Sequence, residues 1–298
     1  MTAQLPDVVS GGPTVIRILL GAQLRRLREE RGISREDAGY SIRASGSKIS
    51  RMELGRVSFK ERDIADLLTL YGVKDEHTRT DLLTLATQAN TPGWWHRYGS
   101  VLPTWFQAYI GLETAATLIR TYEVKFIPGL LQTEDYARAV ILLGHSSSSP
   151  TDIEHRVQLR MQRQQSVFSR SNGGPRVWAV VDEAALRRPV GGPKVMRAQL
   201  EKLIEATTEP EVRLQVMPFS AGGYAGAGGP FTIMRFPDQE ISDMVYLEHL
   251  ASALYLDKPE DTSDYVVLME QLVVEAEPPD RTREILEAAL HDLPAHDS

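Results

Sequence analysis

The side chains between residues 45 and 56 could bind phosphate oxygens or the edges of nucleic-acid bases. If this stretch forms a helix, Ser47, Lys48 and Arg51 share one face and stay in water, whereas Ile49 and Met52 turn inward. A guanidinium group can donate two parallel hydrogen bonds to a guanine edge, and a hydroxyl can bind either a base or a phosphate. A basic, hydroxyl-rich face of this kind suits the major groove of double-stranded DNA.

The leading candidates for base contacts are Arg51 and Lys48, and Ser47 is short enough to approach a base edge or a phosphate. Arg35, which precedes this stretch, should reach the DNA backbone or a flanking base. The full set of predicted DNA-binding residues is Arg35, Arg43, Ser45, Ser47, Lys48, Arg51 and Arg56.

Arg43 and Arg56 are assigned to phosphate contacts because they flank the candidate helix at its two ends. Glu53 is assigned to structure, since it lies on the side of Ile49 and Met52 and away from Arg51. The sequence pattern therefore separates a DNA-facing side of the helix from a side that faces the protein core.

Two short helices joined by a tight turn are needed to position these residues. Ser34 can cap the first helix by accepting a hydrogen bond from a backbone N–H, with Asp37 at the third helical position and Ile33 packed onto Ala38. Ser45 can cap the second helix in the same way. This arrangement predicts a helix-turn-helix.

The run S-x-S-K-I-S-R-x-E-x-G-R, from Ser45 to Arg56, resembles the second helix of lambda-repressor-like (xenobiotic-response-element type) regulators. The resemblance implies five helices, and glycines suited to ending helices stand at Gly32, Gly55 and Gly72. The chain departs from the family at Arg35, Gly39 and Arg43, where the family commonly has Gln, Ala and a turn Gly. The five candidate helices are Val15–Arg31, Ser34–Arg43, Ser45–Leu54, Lys60–Tyr71 and Asp75–Asn90.

The rest of the chain resembles the large antitoxin-like domain that follows such N-termini in many actinobacterial regulators. This resemblance implies a DNA-binding regulator that is often associated with a small acidic or neutral partner protein encoded nearby. The matching stretches are GWWHRYG (Gly93–Gly99), FIPGLLQTEDYARA (Phe126–Ala139), DEAALRRPVGGP (Asp182–Pro193) and AGAGGPFTIMRFP (Ala225–Pro237).

Charge is unevenly distributed along the chain, whose formal net charge is −7. Residues 14–72 carry a net charge of +4, and the remainder carries −11. A basic module attached to an acidic body can bind phosphate through one face, while the acidic body resists lying along the duplex.

Composition excludes several classes of chemistry. The chain has no cysteine, which rules out disulfides, thiolate nucleophiles and cysteine-ligated metals, and none of its seven histidines has metal-ligand spacing. No motif of nucleophilic catalysis is present, so we expect no enzymatic activity, no catalytic residues and no cofactor. No apolar stretch is long enough to span a membrane, and the N-terminus has no signal-peptide pattern, so we expect a cytoplasmic, nucleoid-associated protein with no membrane partner.

The helical periodicity is interrupted at Thr91-Pro92-Gly93, which predicts a domain boundary. We predict a flexible tail over residues 1–13, a DNA-binding domain over 14–91 and an α+β domain with a mainly antiparallel sheet over 92–298. In the last domain, the predicted helices are 104–116, 133–143, 151–169, 193–206, 261–276 and 281–291, and the predicted strands are 119–126, 176–181, 212–218, 231–236, 244–250 and 253–256.

Three features of this larger domain allow two interpretations each. The loop from Gly222 to Gly229 fits a flexible connector better than a phosphate cradle, because a strand and not a helix follows it, although it could be a lid over a ligand. An aromatic cluster after the boundary fits packing better than a ligand cage. Arg187 and Arg188 could hold an acidic partner or phosphate, or could be a solvated helix end. The cluster consists of Trp94, Trp95, Tyr98, Trp105, Phe106 and Tyr109.

These observations predict a sequence-specific transcription regulator that binds operator DNA. A homodimer is expected, because one short recognition helix reads too few base pairs and paired half-sites solve that problem. The larger domain would mediate dimerisation and bind either a small-molecule effector or a partner protein. The alternative is an antitoxin-like protein that binds a small partner protein and regulates its own operon.

Overall fold

A computed structural model describes residues 13–168, 174–237 and 242–294. The described chain divides into two compact units. The first consists of residues 13–96 and 107–115, and the second of residues 97–106, 116–237 and 242–294. Of the predicted tail, only residue 13 is described, and it begins the first helix; residues 1–12 lie outside the described residues.

The first unit contains the five helices expected from the sequence, which confirms that prediction. Each observed bound lies within two residues of the predicted one. Gly32, Gly55 and Gly72, which follow three of these helices, have φ angles of 63°, 63° and 71°, as helix-ending glycines do. The helices are α1 (Pro13–Glu30), α2 (Arg35–Ser41), α3 (Gly46–Glu53), α4 (Glu61–Leu70) and α5 (Glu76–Ala89).

A single apolar core holds these five helices together. In α1, Leu20 and Leu24 lie one turn apart and are almost fully buried, so one stripe of the helix faces the core. Ile49 and Met52 of α3 are each 1% exposed and belong to the same core. The position of α3 is therefore fixed by its own apolar side.

The second unit is built around a six-stranded sheet with flanking helices, and the helix α6 (Thr104–Ala115) contributes residues to both units. The strands are β1 (Leu118–Glu123), β2 (Arg176–Asp182), β3 (Val212–Met217), β4 (Phe231–Arg235), β5 (Met244–Glu248) and β6 (Ala253–Leu256). The other helices are α7 (Glu134–Gly144), α8 (Pro150–Phe168), α9 (Glu183–Arg187), α10 (Pro193–Ala206), α11 (Pro259–Glu275) and α12 (Pro279–His291).

The sheet has the strand order β3-β2-β1-β4-β5-β6. Helices connect β1 to β2 and β2 to β3, and these two pairs are parallel, as crossover connections require. The pairs β1 with β4, β4 with β5 and β5 with β6 are antiparallel. The α+β prediction with a mainly antiparallel sheet is thus confirmed, with a parallel half that the sequence pattern did not reveal.

Helices cover both faces of the sheet. On one face, α10 and α12 pack against strand residues such as Val181 and Val216. On the other face, α11 packs against Phe231, Ile233 and Val245. The outer edge of β3 is also covered, because the Val216 carbonyl accepts a hydrogen bond from the Glu277 N–H at 2.9 Å and the Leu214 carbonyl accepts one from Thr282 Oγ1 at 2.7 Å.

Two elements differ from the expectation. The first strand ends at Glu123 rather than at residue 126. On one side its partner β4 begins at Phe231, opposite Tyr122, and on the other side β2 ends one residue beyond Val181, which pairs with Glu123. Neither neighbouring strand therefore extends as far as residue 126. The short helix α9 was not predicted. It begins where the Asp182 side chain accepts a hydrogen bond from the Ala184 N–H at 2.8 Å, a local cap at the end of a strand.

Candidate nucleic-acid interface

The two capping serines lie where the sequence predicts them. Ser34 Oγ accepts a hydrogen bond from the Asp37 N–H at 3.0 Å, and Ser45 Oγ accepts one from the Lys48 N–H at 3.3 Å. Each cap satisfies a backbone donor that has no partner inside its helix. The pair α2 and α3 therefore forms the predicted helix-turn-helix, with Ser45 at the start of the second helix.

The turn between α2 and α3 explains two of the departures from the resembled family. Arg43 has a φ of 55°, the left-handed conformation that a turn glycine would adopt without strain. Gly39 is needed for a close approach, because a Cβ atom at this position would lie 2.8 Å from the Ala44 carbonyl oxygen. The backbone strain in this turn is thus at Arg43, whose side chain is exposed to solvent.

The exposed face of α3 carries Ser47 and Arg51, as predicted. Ile49 and Met52 are buried beneath them. Within the described part of the chain, neither Arg51 nor Arg43 forms an ion pair, and both residues are exposed. Two guanidinium groups, one on α3 and one in the turn before it, are thus able to donate hydrogen bonds to a phosphate or a base.

Lys48 differs from the expectation that it shares the wet face. Its Nζ atom lies 2.7 Å from Asp63 Oδ2, and only 31% of its side chain is exposed. Asp63 stands in the first turn of α4 and is almost fully buried. Lys48 is the closer of two cations at this buried carboxylate, since Arg62 Nη2 lies 3.8 Å from Asp63 Oδ1, so Lys48 ties α3 to α4 and has less freedom to reach a base.

Arg35 and Glu53 form part of a second charge network. Arg35 Nε lies 3.0 Å from Glu53 Oε2, and Arg28 Nη2 lies 3.0 Å from the same oxygen. The hydrogen bond to Glu53 raises the pKa of Arg28, which is 7% exposed. Glu53 is 4% exposed, which agrees with its predicted structural role. Its carboxylate joins α1, α2 and α3, and Arg35 keeps a partly exposed side chain at that junction.

The two remaining predicted residues mark the ends of α3. Ser45 is exposed and serves as the cap, and Arg56 is exposed just after the helix-ending Gly55. Both lie in the positions that the phosphate and capping predictions require, and their contact with DNA remains a prediction.

Two residues of α2 were missed by sequence reasoning. Tyr40 is 88% exposed, and its ring and hydroxyl lie directly before the turn that holds Arg43. A helix signal exists for it: Ala38 and Ile42 are buried four residues apart, so the residue between them points outward. Glu36 packs against the start of α3, since its Oε1 atom would lie 2.8 Å from a Cβ at Gly46. This carboxylate adds negative charge at the start of α3.

The Gly-rich loop of the second unit is anchored rather than free. Tyr224, inside the loop, donates a hydrogen bond to Asp182, and its hydroxyl lies 2.6 Å from the Tyr122 hydroxyl. A Cβ at Gly226 would lie 2.4 Å from the same Tyr122 oxygen. The loop therefore needs Gly226 to pack against the end of β1, and it connects β3 to β4 as the sequence predicts.

The other two ambiguous features are resolved in part. Arg187 bonds to Glu183 at 3.0 Å and to Asp292, so intramolecular carboxylates hold it, while Arg188 is exposed. In the aromatic cluster, Trp95, Tyr98 and Tyr109 are buried, which favours packing over a ligand cage.

A polar cleft of about 530 Å³ lies in the second unit, beside α8. Tyr98 Oη donates a hydrogen bond to Gln162 Oε1 at 2.9 Å in its wall. Arg138 neutralises the two acidic groups of the lining, with Nη1 2.8 Å from Glu154 Oε2 and Nη2 3.2 Å from Glu134 Oε1. The cleft has the volume of a small-molecule site.

A search of the described residues for clustered His, Asp and Glu side chains finds no group that could hold a metal ion. Over the same residues, no helix is both long and apolar enough to cross a bilayer.

Comparison with known proteins assigns a family model to most of the chain. A model described as Helix-turn-helix domain matches residues 19–82, and one described as Domain of unknown function (DUF5753) matches residues 106–288. No curated protein matches the chain. No solved structure matches it either.

Proposed function

Because the chain belongs to the DUF5753 family, whose model covers residues 106–288, and carries a helix-turn-helix domain at residues 19–82, we propose that it is a sequence-specific DNA-binding transcription regulator. The proposal assigns operator recognition to α3 and assigns no catalytic step to either unit. It includes the lambda-repressor-like subtype, an actinobacterial lineage and a place in the cytoplasm at the nucleoid.

The observation that carries the proposal is the exposed pair Arg51 and Ser47 on a helix whose opposite side is buried. Exposed side chains on a helix whose other face is fixed in the core can contact base edges in a major groove. Arg43, Arg56 and Tyr40 surround this face with groups that bind phosphate oxygens. The net charge of +4 over residues 14–72 also suits a unit that binds the phosphates of DNA.

The test begins with genome-wide capture of the DNA that the full chain binds, which supplies an operator. Binding of operator and scrambled duplexes is then compared for the wild type and Arg51→Ala. We expect Arg51→Ala to lose about 1–3 kcal/mol on the operator and little on scrambled DNA, because a bidentate base contact is lost. Arg56→Ala should weaken both duplexes alike.

Arg281→Ala provides a matched control, since Arg281 is an exposed arginine of α12 in the other unit. It should leave both affinities unchanged. If Arg51→Ala still preferred the operator over scrambled DNA as strongly as the wild type does, Arg51 would not contact the bases. If the wild type preferred none of the captured sequences, the proposal as a whole would be wrong.

The larger unit is proposed to mediate homodimerisation and to bind a small-molecule effector or a small partner protein. The cleft beside α8 supports an effector, because its volume of about 530 Å³ and its convergent polar groups suit a small ligand. An effector shifts operator affinity only through its different affinities for two arrangements, and DNA must shift effector affinity by the same factor. Calorimetry with and without operator measures this factor, and equal affinities would exclude control by that effector.

The second candidate function is an antitoxin-like protein that neutralises a small partner and regulates its own operon. It predicts a small protein that copurifies from the native host, whereas the effector proposal predicts a copurifying small molecule.

A further inference from the structure

Three residues with complementary chemistry form a row across neighbouring strands of the sheet. Arg120 of β1 lies opposite Trp178 of β2, and Trp178 lies opposite Arg213 of β3. Cross-strand partners in register point to the same face of a sheet. The chain thus brings together an arginine, a tryptophan and a second arginine that are far apart in sequence.

The Trp178 ring lies between the two guanidinium groups. The Arg213 guanidinium carbon is 4.7 Å from the ring centroid, and that of Arg120 is 5.7 Å from it, both within the range of a cation–π contact. The indole Nε1 donates a hydrogen bond to Gln215 Oε1 at 2.8 Å, which fixes the ring plane. The row is therefore ordered by contacts that leave the N–H groups of its arginines for another acceptor.

Arg120 is the unusual member of this row. It is 9% exposed, and its Nε atom is buried with no hydrogen-bond partner among the described residues. Burial lowers the pKa of this guanidinium below its ordinary value. A buried cation without a hydrogen-bonding anion is unfavourable, so the side chain lacks the partner that its position calls for.

The nearby carboxylates do not fill that role. Asp243 is already paired with Arg235, whose Nη2 atom lies 2.8 Å from its Oδ2. The charge of Glu270, on α11, attracts Arg120, but Glu270 is exposed and accepts no hydrogen bond from Arg120 in the described part of the chain. Positive charge from Arg120 and Arg213 therefore remains on this face of the sheet.

Exposure increases along the row. Arg120 is buried, Trp178 is half-buried and Arg213 is exposed, so the row runs from the sheet interior to solvent. The Arg213 end of the row is therefore accessible to a small anion in solution.

We propose that Arg120, Trp178 and Arg213 form a binding site for a small molecule that carries a carboxylate or phosphate group. The planar fork of a guanidinium matches the oxygen spacing of both groups and binds them with paired, charge-assisted hydrogen bonds. The anion would supply the missing acceptor of Arg120 and offset the repulsion between the two arginines. The site does not depend on the DNA-binding proposal, because it lies wholly in the second unit.

The test uses the full chain with inorganic phosphate and with succinate as probes, at constant ionic strength with chloride as the balancing salt. We expect saturable binding in calorimetry, in the millimolar range typical of small anions, and a rise in Tm that saturates with it. Binding of phosphate alone assigns a phosphate-bearing ligand, and binding of succinate alone assigns a carboxylate.

Three variants locate the site. Arg120→Gln should bind the probe at least about tenfold more weakly and lose the rise in Tm, because its charged fork is gone. Without probe it should be at least as stable as the wild type, since an unpaired buried charge is removed. Arg213→Gln, at an exposed position, should weaken binding while leaving the fold intact, and Arg281→Gln is the matched control that should change neither quantity.

Fluorescence adds a local readout. The chain has four tryptophans, and the probe-dependent part of their emission should disappear in Trp178→Phe. The proposal is overturned if neither probe binds saturably below about 50 mM. It is equally overturned if Arg120→Gln and Arg213→Gln both respond to the probes as the wild type does.

Discussion

At the residue scale, the helix-turn-helix depends on one carboxylate. Glu53 accepts hydrogen bonds from Arg28 and Arg35, which stand on two other helices, and it is almost completely buried. Such a group stabilises the fold only while its partners are charged and in place. The buried side of α3 is thus fixed by two kinds of contact, the ion pairs of Glu53 and the packing of its apolar residues.

Glu53→Gln keeps the shape of the side chain and removes its charge. We expect the free energy of unfolding to fall by about 3–5 kcal/mol, because Arg28 would lose its buried counter-charge and keep only the contact of its Nη2 atom with the exposed Glu29, at 3.3 Å. Chemical denaturation measures this loss. Glu287→Gln serves as the control, since Glu287 forms an exposed pair with Arg283 and its removal should cost about 0–1 kcal/mol. Equal effects of the two variants would show that the network contributes nothing beyond a surface pair.

Glu123, at the end of β1, gives the larger unit a dependence on pH. Burial and the charge of Glu248 raise the pKa of Glu123 to about 8. A raised carboxyl pKa means that the folded chain holds a proton that the unfolded chain has released. The resulting stability is fully present below the ordinary pKa of 4.5 and is lost as pH rises toward 8.

Glu123→Gln should remove this decline. We expect the variant to exceed the wild type in free energy of unfolding at pH 8.5, on the order of a few kcal/mol, and to match it near pH 4.5. Denaturation across the pH range measures both curves. Parallel curves at all pH values would show that Glu123 ionises normally in the folded chain.

At the element scale, the angle between α2 and α3 depends on Gly39. A Cβ at this position would lie 2.8 Å from a backbone oxygen in the turn, which cannot move away as a side chain could. Gly39→Ala should therefore destabilise the first unit by about 1–3 kcal/mol and weaken operator binding, because the recognition helix must shift.

Gly144→Ala is the control for this prediction, since a Cβ at Gly144, the last residue of α7, meets no atom within 4 Å. It should leave stability and DNA binding close to those of the wild type. If Gly39→Ala behaved in the same way, the turn would have more room than the structure shows.

The elements themselves were largely predictable, because their signals are local. Ser34 and Ser45 indicate where two helices start, and the glycines after α1, α3 and α4 indicate where those helices end. The contacts that adjust the candidate interface were not predictable. Lys48 contacts Asp63, and Arg35 contacts Glu53, at sequence separations of 15 and 18 residues. No local pattern specifies which of several exposed-looking cations pairs with a buried carboxylate.

The same limit applies to the sheet. The sequence predicted the position of each strand, but it carries no information on which strands become neighbours. Arg120, Trp178 and Arg213 acquire their relation only through the order β3-β2-β1 and its register. The two parallel pairs depend on long helical connections, and the sequence does not predict the path of those connections across the sheet.

At the scale of the whole molecule, the chain combines a basic module with an acidic remainder. Positive charge binds DNA with little regard for sequence, and paired modules add the length of contact that a single α3 lacks. A second copy of the chain is the simplest source of the second module.

The full chain should therefore have twice the mass of one chain in light scattering at micromolar concentration, free and on DNA, whereas isolated residues 1–91 should remain largely monomeric. The reason is that dimer contacts are assigned to the larger unit. A full chain that scattered as a monomer in both conditions would contradict this prediction.

The covered edge of β3 limits how copies of this protein can polymerise. A fibre grows by strand addition only when each molecule offers two open edges, one to receive and one to extend. Here the carbonyls of Leu214 and Val216 are already occupied, so β6 is the edge left for addition. Two copies joined through β6 would each have used that edge, and growth through the sheet would stop at a pair.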